Sequence, residues 1–411
     1  MMSLTTVSQL QNLIRDQIGT NFRQPKTENI PVAQSVGRVL AQDIVSPINV
    51  PNANVSAMDG YALAHYAATG DVLRLVGESA AGHAFSGNVG QGECVRIMTG
   101  AVVPEDCVAV VIQENTQTDE QGNIVLTKNV QEKQNIRYAG EEIQANHQVL
   151  QKGRILRDAD VLLLAALGVG EVVVYRKIRV AVLSTGDELV EPSQPLSGSS
   201  QIYDSNRHML MARLTSLPID IIDLKRVEDN LESVMCVLND AAKMADVVIT
   251  SGGVSVGDYD YLRQAVEQIG HIHHYKVAMK PGKPFVFGQM MQAWYFGLPG
   301  NPISGFVGFD MFVKSALWQL CGVVEIPQPL RLQAALSAPV KKSAGRMDIQ
   351  RAILTRQANG NWTVAPCGSQ DSHRILGISR ANAYMILPLE SENLAIGDVV
   401  EVQPFAQAFL D

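Results

Sequence analysis

Thr250 to Leu262 reads TSGGVSVGDYDYL and follows ADVVI, an apolar, β-branched run with the pattern of a buried strand. Glycines after such a strand let the backbone turn sharply and aim bare N–H groups at an anion near the next helix N-terminus. Gly252 and Gly257 have the spacing of a P-loop's glycine pair. Asp258 and Tyr259, however, stand where Lys and Ser or Thr would grip a nucleotide, which rejects a Walker-type NTPase. Asp258 and Asp260 beside a phosphate-sized cradle would repel the ligand unless a divalent cation lay between them, so the stretch reads as phosphate plus Mg²⁺. Capping of the helix DYDYLRQAVEQIG is the alternative role for Asp258.

Further candidates lie elsewhere in the chain. Asp187 and Glu188 in STGDEL are adjacent acids just past another buried strand. Gly186-Asp187 alone could be a plain turn, but the second carboxylate adds a charge cost that a metal or a hydrogen-bond donor at Glu188 would offset. KVAMKPGKPFVFG sets Lys276, Lys280 and Lys283 around a Pro-Gly turn. Singly such lysines are solvated; together, beside a crevice rich in acids, they imply at least one anion ligand. A second basic run, Lys341, Lys342, Arg346 and Arg351, also suits a small anion better than a polymer. Asp59 in SAMDGYAL belongs to the DG pair of a tight hairpin, and Thr99 and Gly100 to a polar turn in RIMTGAVVPEDCVAVV; spacing alone makes both structural. HIHH, His271 to His274, has no matching Cys or His elsewhere and is read as structural too. The serines in SGG and QDSH lack an identifiable base, so no Ser-His-Asp arrangement is claimed.

These residues need a frame. From Lys177 the chain alternates strand and helix: IRVAVLS, YDSNRHMLMARLTSL, IDIIDL, NLESVMCVLNDAAKMA, DVVIT, DYLRQAVEQIG. That is the texture of a doubly wound α/β domain with a parallel sheet, closed by WYFGLPGNPISGFVGFDMFVKSALWQLCG. STGDEL, TSGGVSVGD and LPGNPIS each follow a strand, and in open parallel sheets those ends form the ligand crevice. From about Asn29 to Val174 short extended runs are broken by Pro, Gly and Asn, so the region is mostly β. RDADVLLLAALG interrupts it as a helix, with Asp158 or Asp160 near the cap and Gly168 at the stop. After Pro327 the chain is β again and ends in GDVVEVQPF, a small barrel or sandwich.

With 411 residues, 46% hydrophobic, the chain can bury several cores. A net charge of −8 argues against a nucleic-acid binder. Five cysteines are scattered singly, without a CxxC pair, which fits a reducing cytoplasm and neither a disulfide framework nor zinc. Val7, Leu10, Ile14 and Ile18 recur at helical spacing near the start, so that segment is an amphipathic helix and not a signal peptide. VLLLAAL, the longest apolar candidate, is too short to span a membrane.

SAMDGYA, RIMTGA, GEEI, STGDEL, SGGVSVGDYDY, KPGKPFVFG, LPGNPIS and GDVVEV, in that order, resemble the MoeA-type molybdopterin molybdenumtransferases, the family that includes the E domain of gephyrin. The likeness runs from the first helix to the last strand. It implies insertion of molybdate into the dithiolene of adenylated molybdopterin, with Mg²⁺ helping to cleave the pyrophosphate link and AMP leaving. It further implies an elongated homodimer whose site lies between the α/β domain of one subunit and the β-rich second domain of the other, and a molybdopterin adenylyltransferase as a partner.

Four domains follow from texture and resemblance together: 1–49 with 141–176 as an N-terminal elongated, dimerisation domain, 50–140 as a β-rich domain, 177–326 as the α/β domain and 327–411 as a β-barrel. By motif, Asp59, Thr99 and Glu142 fall on the second-domain side; the family commonly has Asp where Glu142 stands. Glu188, Asp229, Asp260, Lys276 and Lys280 fall on the α/β side, and Arg351 and Ser372 come from the last domain. Asp59, Glu188, Asp260, Lys276 and Lys280 are the expected catalytic set, and Glu188, Asp258 and Asp260 the metal set. Substrate contacts are expected further from Ser184, Thr185, Gly186, Asp187, Ser251, Gly252, Gly253, Ser255, Gly257, Asp258, Lys283, Pro299, Gly300 and Asn301. Two other readings share the SGG loop: an adenylyltransferase acting on ATP, and a non-catalytic scaffold.

Overall fold

The computed structural model describes residues 4–253 and 261–405. Helix α1, Val7–Thr20, starts at a capping box in which Thr6 accepts from the Gln9 N–H and Gln9 accepts from the Thr6 N–H. Its stripe Val7, Leu10, Ile14 and Ile18 is buried, as the spacing predicts. Strand β1, Thr27–Pro31, leads into the β-rich region.

That region is a six-stranded sheet of β2 (Gly60–Leu63), β3 (Val72–Ser79), β4 (Glu93–Ile97), β5 (Ala109–Ile112), β6 (Thr116–Thr118) and β7 (Ile124–Leu126), in the order β5-β2-β4-β3-β7-β6. Its two faces bury separate clusters, one around Val95 and Ile97, the other around Cys94 and Val111, as strand alternation dictates. Helix α2, Asp158–Ala166, follows; Asp160, 4% exposed, accepts from the Arg157 N–H and from Arg154, and Gly168 at φ +75° ends the turn. Strand β8, Glu171–Tyr175, pairs with β1.

The α/β region runs β9 (Ile178–Thr185), α3 (Ser205–Leu214), β10 (Ile219–Val227), α4 (Leu231–Met244), β11 (Val247–Ser251), α5 (Tyr261–Ile269), β12 (Gly270–Lys276), β13 (Met279–Lys280), β14 (Pro284–Met290) and β15 (Ala293–Leu298). The sheet order is β10-β9-β11-β15-β14-β12. Strands β10, β9, β11 and β15 pair in parallel, whereas β14 runs against them and pairs antiparallel with both β15 and β12. The expectation of a parallel sheet therefore holds for these four strands and is corrected at β14, whose pairings are antiparallel. The reason is local: Met290 pairs with Ala293 across a two-residue turn with Met291 at φ +48°, and so short a link reverses the strand.

Helix α6, Pro302–Gly308, with Pro in its first turn, passes through a π turn at Phe309–Val313 into α7, Lys314–Leu320. Helix α1 docks on this run: Gln11 Nε2 donates to Met311 O at 2.9 Å and Gln319 Nε2 to Arg15 O at 2.9 Å, and the α1 stripe shares one core with Phe312 and Leu317.

The chain then forms β16 (Leu332–Leu336), β17 (Met347–Arg356), β18 (Trp362–Pro366), β19 (Ala383–Leu387) and β20 (Val399–Pro404). Pairing runs β17-β18-β16-β20-β19 and back to β17, a closed five-stranded barrel around Ala352, Val364, Met385 and Val402. Strand β13 adds to it, Met279 opposite Met347 and Lys280 opposite Asp348, so backbone bonds join the barrel to the α/β region.

Candidate active site

Three strand ends meet as the parallel topology requires. At the end of β9, Gly186 adopts φ +141°, and a Cβ there would lie 2.6 Å from Glu188 Oε2, so glycine is what lets this carboxylate fold back over the strand end. Gly252, at φ +95° past β11, would bring a Cβ to 2.7 Å from Thr185 O; the two glycine turns lie against each other. Beyond β15, Gly300 O accepts from Asn206 Nδ2 at 2.7 Å, and the same amide donates to Ser251 Oγ at 2.8 Å. Asn206, in the first turn of α3, thus ties two of the loops together. The sequence reading passed over it; its position just after the cap residue Asp204 was the only signal.

Two buried polar atoms of this crevice, Thr185 Oγ1 and Asn206 Oδ1, have no hydrogen-bond partner among the described residues. Leaving such atoms unpaired costs stability unless a ligand, an ion or water answers them.

Acids gather at the outer edge. Asp187 Oδ1 accepts from Arg226 Nη1 at 3.3 Å and from the Asp229 N–H at 3.4 Å. Burial, then the charges of Asp187 and Glu188, raise the Asp229 carboxyl above its ordinary range. Underneath, Arg207 is fully buried and held by Asp204, Asp223 and Glu191. Ser184, expected as a ligand, donates its hydroxyl to Asp204 instead, because β alternation turns its side chain into this network. Ser255, Gly257, Asp258 and Asp260 lie outside the described residues. Among the described residues no group of three metal-capable side chains is close enough to hold an ion by itself.

The basic residues separate. Lys276 is half-buried, its Nζ 5.2 Å from the Tyr275 ring centre. Lys280 and Lys283 are exposed, and Lys280 Nζ stands 3.7 Å from Asp348 Oδ2. Their Pro-Gly turn abuts α6: a Cβ on Gly282 would lie 3.5 Å from Ser304 O. Arg351 is 1% exposed, and its guanidinium donates to the carbonyls of Ser369, Asp371 and Arg374. With no carboxylate bonded to it, burial draws it below its ordinary pKa. Its carbonyl bonds shape the loop that brings Ser372 O to the Ile303 N–H at 3.3 Å, beside Pro299, Gly300 and Asn301.

Asp59 and Thr99 meet in a separate, open hollow of about 380 Å³, lined also by Met58, Ile112, Gln113 and Glu114. Asp59 Oδ1 accepts from the Thr99 N–H at 2.7 Å and its hydroxyl at 2.8 Å, and these bonds hold the carboxyl below its ordinary range. Asp59 therefore faces an open hollow whose further wall, Gln113 and Glu114, lies just past β5. Glu142 is exposed in a loop whose N–H donates to Val50 O at 3.1 Å. His273 packs on Phe287 and Trp294 and, like His274, is kept below its ordinary pKa by burial, which suits the structural reading.

A crevice at the carboxyl ends of a doubly wound sheet, with glycine turns and acids, is the place where open α/β proteins bind ligands. Comparison with known proteins narrows it. Residues 5–168 match the MoeA N-terminal region (domain I and II), 181–319 a probable molybdopterin binding domain, and 333–405 the MoeA C-terminal region (domain IV). The chain is 40% identical, over 92% of its length and 94% of the relative's, to a protein of Haemophilus influenzae named molybdopterin molybdenumtransferase. A Staphylococcus aureus protein of the same name is 32% identical over 91% and 90%. The molybdopterin biosynthesis MoeA protein of Pyrococcus horikoshii superposes with a TM-score of 0.83 at 26% identity, covering 98% of this chain and 100% of that one. The chain belongs to the MoeA family and is an enzyme, a transferase of molybdenum cofactor biosynthesis.

Proposed function

We propose that this chain inserts molybdate into the dithiolene of adenylated molybdopterin and releases AMP. The observation that carries this reading is the convergence of Asp187, Glu188 and Asp229 on the two glycine turns of the crevice, one of which leaves the Thr185 hydroxyl unpaired. These three carboxylates do not enclose an ion by themselves, but answered by one arginine, Arg226, they leave an excess of oxygen donors at the crevice of the kind Mg²⁺ prefers. Glu188 would hold the ion with Asp258 and Asp260; when bound it supplies charge neutralisation at the pyrophosphate link.

The chain's own residues do the rest. The turn N–H groups of Ser251 to Gly253 cradle phosphate, and Thr185 and Asn206 orient it. Lys276, Lys280 and Lys283 neutralise the phosphates and the molybdate dianion, and Lys280 gives a proton to an oxygen leaving molybdenum. Asp59, Thr99 and Glu142 complete the site from the partner subunit of a homodimer, which accounts for the openness of their hollow. The protein works in the cytoplasm, where free cysteines persist, and takes its substrate from a molybdopterin adenylyltransferase. AMP release from adenylated molybdopterin, with and without molybdate, tests this. Molybdate-stimulated release is expected; consumption of ATP with formation of pyrophosphate would favour the adenylyltransferase reading instead.

A further inference from the structure

The chemistry proposed above makes no use of Arg207, although burying a guanidinium completely is costly unless carboxylates answer it. Three do. Nε donates to Asp204 Oδ2 at 2.9 Å, Nη1 to both oxygens of Asp223 at 2.7 Å each, and Nη2 to Glu191. Lys225 and His208 meet Asp223 and Glu191 from outside, at 2.6 and 3.0 Å. One carboxylate would balance the charge of Arg207, so neutralisation alone does not account for three. What the three share is where their segments lead. We propose that Arg207 is a positioning residue of the crevice: its fork fixes the two arms that present Glu188 and Asp229, and it acts on Glu188 through Glu191.

Each arm has its own tie. Glu188 opens a short parallel pair of strands, Leu189–Val190 with Ile202–Tyr203. The Glu188 carbonyl accepts from the Ile202 N–H at 2.8 Å, and Val190 O from the Asp204 N–H at 2.9 Å. Glu191 and Asp204 follow directly on the two strands and Arg207 holds both, so one side chain closes the pair at the end away from Glu188. Asp223 belongs to the other arm. It lies opposite Val182 of β9, and its Oδ1 accepts from the N–H of Lys225, a residue at φ +64° where the β9–β10 register shifts. Past that bulge Arg226 Nη1 reaches Gly186 O at 3.4 Å and Asp187, with Asp229 three residues on. Asp204 further accepts from the Ser184 hydroxyl of β9, and Asn206, next to Arg207 in the chain, bridges Ser251 and Gly300. A planar guanidinium with five donors in fixed directions can hold three such segments at once, which a lysine ammonium cannot.

This rests on the reading of the crevice as a cation site, so two measurements are needed: Mn²⁺ binding to the full chain by equilibrium dialysis with AMP present, and the Mg²⁺ dependence of AMP release. Glu191→Ala cuts the tie to the Glu188 arm and leaves Arg207 with Asp204 and Asp223, so the fold persists. It is expected to weaken Mn²⁺ binding and to raise the Mg²⁺ concentration for half-maximal release, each about tenfold, the scale of losing a group that orients a metal ligand. Glu191→Gln, whose amide oxygen still accepts from Arg207, is expected to stay within about twofold of wild type. Arg207→Lys keeps the charge without the fork and is expected to follow Glu191→Ala, whereas Lys243→Gln, which breaks an exposed pair with Asp240 on α4, should change neither readout. Glu191→Ala behaving as wild type, Glu191→Gln losing as much as Glu191→Ala, or a loss that vanishes once rates are scaled to the folded fraction overturns the role. Glu191-dependent Mn²⁺ binding by a wild type that releases no AMP keeps the role and sinks the proposed reaction; a wild type that binds no Mn²⁺ sinks the cation reading and this role with it.

Discussion

In the hollow of the β-rich region, Asp59 is held by two hydrogen bonds from one residue, Thr99, in a turn of the same sheet. In the α/β crevice, Asp229 is half-buried among like charges that arrive from two different strand ends. The first carboxyl is pushed down by its donors and the second up by burial and by Asp187 and Glu188. Local hydrogen bonding thus favours the ionised form of a carboxyl at an open surface, while topology crowds like charges around a half-buried one. The two carboxylates thus differ in what surrounds them: Asp59 has fixed donors, and Asp229 has neighbours of its own charge.

Substitutions separate the two regions. Glu188→Gln should lower AMP release at least about a hundredfold, the scale of losing an electrostatic group at the reacting centre, with the denaturation midpoint unchanged because Glu188 is exposed. Asp59→Asn should be nearly as inactive. Mixed under subunit exchange, these two variants should recover roughly a quarter of wild-type turnover, since about half the dimers then carry one intact site; exchange without recovery would put both acids in one chain's site. Asn206→Ala, which unties Ser251 from Gly300, should cost on the order of tenfold in AMP release, and an unaffected rate would remove Asn206 from the site.

The smallest effects are in pH dependence. Because its pKa is raised while that of Asp59 is lowered, Asp229 protonates before Asp59 on acidification, and the acid limb of the rate profile is expected to follow Asp229. Asp187→Asn removes one raising charge and should move that limb to lower pH, whereas Thr99→Val removes a lowering bond from Asp59 and should leave it in place. A limb that follows Thr99→Val and ignores Asp187→Asn would reverse the comparison.

Much of this was legible along the chain because it depends on neighbours in sequence. The α1 stripe, the strand and helix alternation from Lys177, and the glycine turns after β9 and β11 are local patterns of period, cap and turn. The alternation also pointed to a wholly parallel sheet, and missed that PFVFGQM runs against AWYFGL across a two-residue turn and pairs antiparallel with GHIHHYK on its other side. What no local pattern carries is which way a side chain faces once distant segments pair. Lys342, Arg346 and Arg351 are equivalent as a basic run, yet closure of the barrel sends two of them to inner carbonyls and leaves one at the seam with Lys280. Asn206 becomes a bridge only when α3 packs beside two loops that lie 45 and 94 residues away. Composition and spacing determined the chemistry this chain can offer. Burial and register, set by contacts between segments far apart in sequence, decided which of its charges reach a ligand and which hold the fold.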